Sequence, residues 1–329
     1  MDAVIAAASR AAVGLTHAAL GARLSILIFH RVRAQPDPLF PNEPDARRFE
    51  RLMRLVGKSF TVLPLGTAVS QIAAGDLPPR SLVITFDDGY RDNAEIALPI
   101  LARHGLVASF FVTTGFLDGG RMWNDSLIES VRTSPLNELD LGFLGLGRRP
   151  LTSLPDRRAA IDTLLARIKY LGPEERNAAV SRVQELCRVR ELPGCLMMAA
   201  EQVRVLHRAG MEIGAHTVSH PILTALGPHE AEREIAAGRR RLEEIIDAPV
   251  DLFAYPNGRP FRDFDQTHVD IVRRLGFRGA VSTAQGVARP GDDVFQLPRF
   301  TPWGDPLWKW ATQLTLSQTR TRYATTVAS

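Results

Sequence analysis

Short, nearly unbroken apolar runs recur along this chain, each followed by a stretch with helical spacing. That alternation constrains the fold more than any other feature. A run with no polar face is a strand covered on both sides, and such strands separated by helices make parallel βα units. The runs are Leu24–Phe29, Leu82–Phe86, Val107–Val112, Met211–Gly214, Val250–Ala254, Arg278–Val281 and Val294–Leu297, with a weaker one at Phe60–Leu63. Between them, Asp92 is placed to cap a helix running to about Arg103, with Gly105 just beyond its end. A second helix runs from about Ala199 to His207 and stops at Gly210. A third, Pro228–Ile246, carries acids early and arginines late, as the helix dipole prefers.

The rhythm breaks once. Between Val112 and Ala199 there are helical patterns and no convincing strand, which a barrel accommodates as an insertion on a βα loop above its active face. The chain's 329 residues allow either two average domains or one large α/β barrel, and 45% hydrophobic residues suffice for a sizeable core. The reading divides the chain into an N-terminal helical segment (1–23), a barrel (24–300) interrupted at about 116–198, and a tail (301–329).

Charge and cysteine usage exclude some classes. Net charge is only +4, yet Arg148–Arg190 holds ten Lys or Arg against five Asp or Glu. A solvated helical face accounts for such a run, and a docking surface for an anionic glycan or lipid headgroup is the sharper alternative. No recognised nucleic-acid-binding module is present. Cys187 and Cys195 match neither a redox pair nor a zinc ribbon, and two cysteines make no disulfide framework. Met1–Leu20 is alanine-rich but broken by Arg10 and His17, so it reads as an amphipathic helix more than as a signal peptide. No apolar run is long enough for a transmembrane segment, and peripheral membrane contact stays open. The default localisation is cytoplasmic, with envelope association as the alternative. Oligomeric state is not legible.

The chemistry gathers at strand ends. Leu82–Phe86 runs straight into Asp87, Asp88 and Gly89. Two adjacent carboxylates are costly to bury unpaired, and a cation is the usual compensation. Neighbouring side chains point to different sides, so one can ligate a metal while the other faces the reacting water. A helix cap followed by a turn acid is the structural alternative. His216 and His220 stand four apart between Gly214 and Pro221, at a strand-to-helix junction, a spacing that lets both imidazoles reach one metal. Phe253-Ala254-Tyr255-Pro256-Asn257-Gly258 ends another strand in a tight turn whose backbone N–H groups can face an oxyanion or simply close the strand. His30 follows Leu24–Phe29; a lone histidine there is either structural or an acid–base group.

TFDDG, HTVSH and FAYPNG in this order resemble the polysaccharide deacetylases of carbohydrate esterase family four, the NodB-homology domain. The resemblance covers about Leu24 to Arg299. It implies an irregular (β/α) barrel of about seven parallel strands, here with a long, mainly helical insertion. It further implies a hydrolase that removes N-acetyl groups from an N-acetylated glycan around a divalent metal, usually Zn²⁺. By position, Asp87 takes the role of general base, Asp88, His216 and His220 that of metal ligands, and Asn257 that of backbone donor to the oxyanion. Two positions depart from the family pattern. Ala254 replaces the arginine that pairs with the base, and Arg299 in QLPRF is the candidate to supply that charge. The late histidine motif is absent, and Ile28-Phe29-His30 matches it at the other end of the chain, as in the circularly permuted poly-N-acetylglucosamine deacetylases. His30 is therefore assigned as general acid, since the other histidines outside the ligand pair lie in helices, at their ends or before the barrel.

Competing readings keep the fold but change the chemistry to deformylation of an amino sugar or hydrolysis of a cyclic amide. A catalytically silent glycan-binding module is a further alternative. Trp303, Trp308 and Trp310 near the C-terminus serve either sugar stacking or packing.

Overall fold

The computed structural model describes residues 2–301, 306–319 and 323–326. The chain opens with α1 (Asp2–Leu20), β1 (Leu24–Phe29), α2 (Ala46–Ser59), β2 (Thr61–Val62), α3 (Leu65–Ala74) and β3 (Ser81–Phe86). A π-type turn (Asn93–Ala97) leads into α4 (Leu98–Arg103), followed by β4 (Ser109–Val112). Next come α5 (Trp123–Thr133), β5 (Glu138–Asp140), β6 (Arg148–Pro150), α6 (Leu154–Ile168) and α7 (Pro173–Leu186). The barrel then resumes with α8 (Ala200–Arg208), β7 (Glu212–Ala215), α9 (Pro228–Ile246), β8 (Leu252–Ala254), α10 (Gln266–Arg274), β9 (Gly279–Gln285), β10 (Leu297–Arg299) and α11 (Leu307–Ser317).

Every residue of β1 and β3 is buried, as expected of strands covered on both faces. The parallel order is β1-β3-β4-β7-β8-β9-β10, with β2 beside the start of β3. Closure comes just past β10. The Ile28 N–H donates to the Phe300 carbonyl (3.1 Å) and the Phe300 N–H to the Ile26 carbonyl (2.8 Å). The first and last strands therefore meet, and seven parallel strands form a nearly closed barrel. Helices cover its outside. The amphipathic α2 buries Phe49, Leu52, Met53, Leu55 and Val56, and α1 lies on α2 and α11, burying Ala6 and Val13.

The sequence expectations for β1, β3, β4, β7 and β8 match within about two residues, the usual scatter of element ends, and β2 occupies Thr61–Val62. Three expectations need correction. The last strand is Leu297–Arg299 and not Val294–Leu297. The Ala280 N–H of β9 already donates to the Val294 carbonyl (2.9 Å), but Asp293 then organises a turn, accepting from the Phe295 N–H at its carboxylate (3.1 Å) and from the Gln296 N–H at its carbonyl (3.0 Å), and the regular ladder with β9 starts at Leu297. The insertion holds an antiparallel hairpin, β5–β6, of which only Leu139 is buried. Three-residue strands with charged faces carry no periodic apolar signal. Asp92 does not cap its helix. Its carboxylate accepts from Arg31 Nε (2.8 Å) and the Val32 N–H (3.2 Å).

The insertion has its own core of Leu127, Val131, Leu139, Ile161, Leu164, Ile168 and Val183. Cys187 is buried there and Cys195 is exposed, and both are free thiols. Among the described residues no helix is long and apolar enough to cross a membrane.

Candidate active site

β3 delivers the first two functional groups. The Asp87 N–H still pairs with the Phe29 carbonyl (2.9 Å), so Asp87 prolongs the strand. The backbone then turns left-handed at Asp88 (φ 76°) and Gly89 (φ 89°). That conformation costs an aspartate about 1–2 kcal/mol. It is held by backbone bonds from Thr113 to the Asp88 carbonyl (3.3 Å) and from Met198 to the Gly89 carbonyl (3.0 Å). At Gly89 a Cβ would stand 2.9 Å from Val112 Cγ1, so the turn also needs the missing side chain. Because of the turn, the two carboxylates face different partners.

Asp87 faces Arg299. The guanidinium donates through Nη1 to Oδ1 (2.7 Å) and through Nη2 to Oδ2 (2.6 Å), while its Nε donates to the Ser282 carbonyl (2.8 Å). Arg299 is 1% exposed and Asp87 2%, so the pair is buried, with Asp87 at the floor of a cleft. Burial pushes the Asp87 pKa up, but Arg299, helped by His216, outweighs it and holds the carboxyl below its ordinary range. The charge missing at Ala254 is thus supplied from β10.

Asp88 faces two imidazoles. His216 follows β7, and its Nδ1 lies 2.7 Å from the Ala254 carbonyl, a bond that fixes Nδ1 as the donor and leaves Nε2 bare. His220, at φ 52°, sits in another left-handed turn, which is braced by Thr217 Oγ1 accepting from the His220 N–H (3.1 Å). Glu234 of α9 secures the intervening loop, accepting from the N–H groups of Val218 (3.0 Å) and Ser219 (2.9 Å) and from Ser219 Oγ (2.9 Å). α9 can approach this closely because residue 238 is glycine: a Cβ there would meet the Thr217 backbone at 2.8 Å.

Each Nε2 lies 3.5 Å from Asp88 Oδ1, and that buried oxygen accepts no hydrogen bond. The spacing is long for hydrogen bonding but right for ligands of one small cation. Bonds of about 2.0–2.1 Å at tetrahedral angles set donor atoms about 3.4 Å apart. The three ligand atoms all lie within 4.8 Å of one another, and one carboxylate plus two imidazoles leaves coordination positions free. Burial raises the Asp88 pKa, but the facing imidazoles more than reverse this and hold it well below the usual carboxylate range. The two rings differ. Burial pushes His220 down to about 3, whereas at His216 the two aspartates outweigh burial and raise the pKa, so a proton competes with a cation there. These residues therefore fit a divalent metal.

The remaining predicted residues reach the same place. Asn257 (φ 59°) and Gly258 (φ 65°) form consecutive left-handed positions after β8, pinned where Thr283 Oγ1 donates to the Asn257 carbonyl (2.7 Å) and the Thr283 N–H to that of Gly258 (2.8 Å). His30 ends β1 with its side chain exposed and its carbonyl held by Asn93 Nδ2 (2.9 Å). Asp87, Asp88, His216, His220, Asn257 and His30 line one cleft of about 610 Å³, with Arg299 beneath Asp87.

Sequence reasoning missed the roof of that cleft. Met122, Trp123 and Asn124, at the start of α5, and Leu165, Ala166 and Lys169, along and just after α6, line it from the insertion, together with Arg259 and Gln285 of the barrel. Among the described residues, the tryptophan at the cleft is Trp123. Trp310 is buried against the barrel, Trp308 projects outward from α11, and Trp303 lies outside the described residues. No local pattern distinguishes Trp123 or Glu234, whose roles arise only when distant segments pack.

Residues 74–141 and 173–280 match the family model described as polysaccharide deacetylase. The chain is 20% identical over 280 residues to YxkH, named as a polysaccharide deacetylase of Bacillus subtilis (strain 168), covering 84% of this chain and 71% of that one. The Streptococcus pyogenes deacetylase PplD, solved in complex with acetate, superposes with a TM-score of 0.60 at 17% identity over 89% of this chain and 98% of its own. IcaB from Ammonifex degensii gives 0.57 at 20% identity, over 90% and 97%. At these identities the structural likenesses establish the fold. His30 and Arg299 both lie outside the segments matched by the family model.

Proposed function

Because the chain belongs to the polysaccharide deacetylase family, and so is a hydrolase of non-peptide carbon–nitrogen bonds, we propose that it removes N-acetyl groups from a glycan of the N-acetylglucosamine type, with one divalent cation, Zn²⁺, held by Asp88, His216 and His220. The observation that carries this reading is the convergence of those three ligand atoms on one point, beside a carboxylate locked to a buried arginine, at the floor of an open cleft. Bound there, a cation supplies Lewis acidity to an amide carbonyl and to water.

The chain's own residues perform the proton transfers. Asp87, kept ionised by Arg299, takes a proton from the attacking water. Arg299 cannot take that proton back, because a guanidinium stays charged at every working pH. The Asn257 N–H, which donates to no acceptor among the described residues, is free to bond the oxygen that becomes negative as the carbonyl carbon turns tetrahedral. His30, in the cleft at the end of β1, gives a proton to the leaving amine, which departs poorly without one. The products are acetate and a glucosamine-type unit. Trp123 offers a flat apolar surface for a sugar ring in the roof.

The test joins metal analysis of the purified protein to acetate release from acetylated glucosamine oligomers. One equivalent of metal and stoichiometric acetate support the reading. Formate release from N-formyl substrates alone points to a deformylase, and binding without hydrolysis to a silent glycan-binding module.

A further inference from the structure

We infer that the cleft contains a subsite for an anionic group, a carboxylate or a phosphate, carried by the glycan substrate. The inference rests on the deacetylase reading and extends it to the substrate's charge. Two basic residues line the cleft, one from the insertion and one from the barrel. Lys169 follows the end of α6 in the roof, and Arg259 stands two residues beyond Asn257 on the barrel rim. Among the described residues neither has a carboxylate within ion-pair distance. Other arginines of this protein are matched: Arg204 with Glu201, Arg239 with Glu243, Arg273 with Asp293 and Arg278 with Asp251.

Asp263 is the acid beside them, but it is fully buried and committed elsewhere. Its oxygens accept from Tyr170 Oη (3.3 Å) and from the backbone N–H of Arg259 (3.0 Å). Tyr170 also carries two cations against its ring, Arg262 at 4.4 Å and Lys169 Nζ at 5.4 Å. Three basic side chains thus surround one acid whose hydrogen bonds hold the loop together. Lys169 is half-buried, and its pKa is lowered by that burial and by Arg259 and Arg262 against the pull of Asp263. A partly desolvated ammonium that no carboxylate contacts directly is unfavourable, and an anion that enters between Lys169 and Arg259 offsets that penalty.

The basic stretch of the insertion narrows the assignment. Arg148 pairs with Glu138 and Arg182 with Glu185, while Arg157 and Arg167 donate to the Val131 and Leu144 carbonyls. Lys169 is the basic residue of this stretch that faces the cleft. A neutral glycan would cover Lys169 and the exposed Arg259 without supplying a counter-charge to either.

The experiment compares three oligosaccharides on the full-length protein: a neutral N-acetylglucosamine oligomer, one alternating N-acetylglucosamine with glucuronate, and an N-acetylglucosamine oligomer bearing a phosphate. Binding is read by calorimetry and turnover by acetate release. The expected result is about tenfold tighter binding and higher kcat/KM for at least one acidic oligomer, the size of one charge-assisted contact, with a preference that fades as salt rises. The carboxylate and phosphate arms identify which anion is taken. Lys169→Met and Arg259→Met should each cut the acidic-to-neutral ratio several-fold in binding and in kcat/KM, and Lys169→Arg should retain it. Equal handling of all three oligomers, or an acidic preference that survives both methionine variants, overturns the subsite. If no oligomer releases acetate while anion binding still depends on Lys169, the deacetylase reading falls and the subsite stands.

Discussion

Arg299 and Asp87, 212 residues apart in sequence, form a bidentate ion pair at 2.7 and 2.6 Å inside the barrel. The guanidinium reaches Asp87 past Thr85, whose hydroxyl it also contacts (3.2 Å). Asp87 is depressed in the folded protein, so the pair adds stability above the unfolded carboxylate pKa, and that stability is lost as pH falls through the folded value. Arg299→Met removes the cause of the depression. The acidic limb of the pH–rate profile should then move upward with metal content unchanged. An uncompensated buried carboxylate should also destabilise the fold by about 3–5 kcal/mol near neutral pH, read by denaturant unfolding. An unmoved acidic limb would make Arg299 a purely structural residue.

Asp87 and Asp88 should separate by metal content. Asp87→Asn should keep the metal and lose roughly two orders of magnitude or more in rate, the usual cost of losing a general base. Asp88→Ala, His216→Ala and His220→Ala should each lose metal and activity together, because two ligands hold a divalent ion weakly. Acidification should release the metal as His216 takes up a proton. A fully metallated His216→Ala protein would falsify the ligand assignment.

Glu234 is not among the ligand candidates, yet it accepts three hydrogen bonds that hold the loop between the two histidines. Glu234→Ala should weaken metal affinity about ten- to hundredfold, as loss of outer-shell support generally does. Once metal is saturating, kcat should recover. Metal affinity equal to that of the parent protein would show that the loop keeps its shape without Glu234.

His30→Ala should bind metal and oligosaccharide almost normally but turn over about a hundredfold or more slowly on an amide, the typical loss for an acid catalyst. An activated acetyl ester has a leaving group that needs little protonation, so it should suffer much less. Equal losses on ester and amide would remove His30 from the acid role.

Strand alternation, the paired carboxylates after β3 and the histidine pair after β7 are local patterns, and they were readable without coordinates. The backbone propensity of a few consecutive residues decides whether a strand forms and where it ends, and a group placed at a parallel strand's end reaches the functional face wherever that strand sits in the barrel. What depends on partners far along the chain was not readable in full. The departure at Ala254 from the resembled pattern nominated Arg299, but the bidentate contact required β10 to close against β1. Asp92 looked like a helix cap because capping is a local rule, and Arg31 and the Val32 N–H outcompeted it. The roof of Trp123 and Lys169 has no signature, since nothing in their neighbourhoods states which way the insertion packs. Sequence alone thus determined the parallel βα pattern and the paired acids and histidines at strand ends, because those follow from short-range periodicity, while the family resemblance implied the barrel and the division of base and ligand roles. Tertiary structure alone decided which charges are compensated and which face the cleft, because Coulomb and packing energies depend on distances that chain closure and the insertion's own core impose.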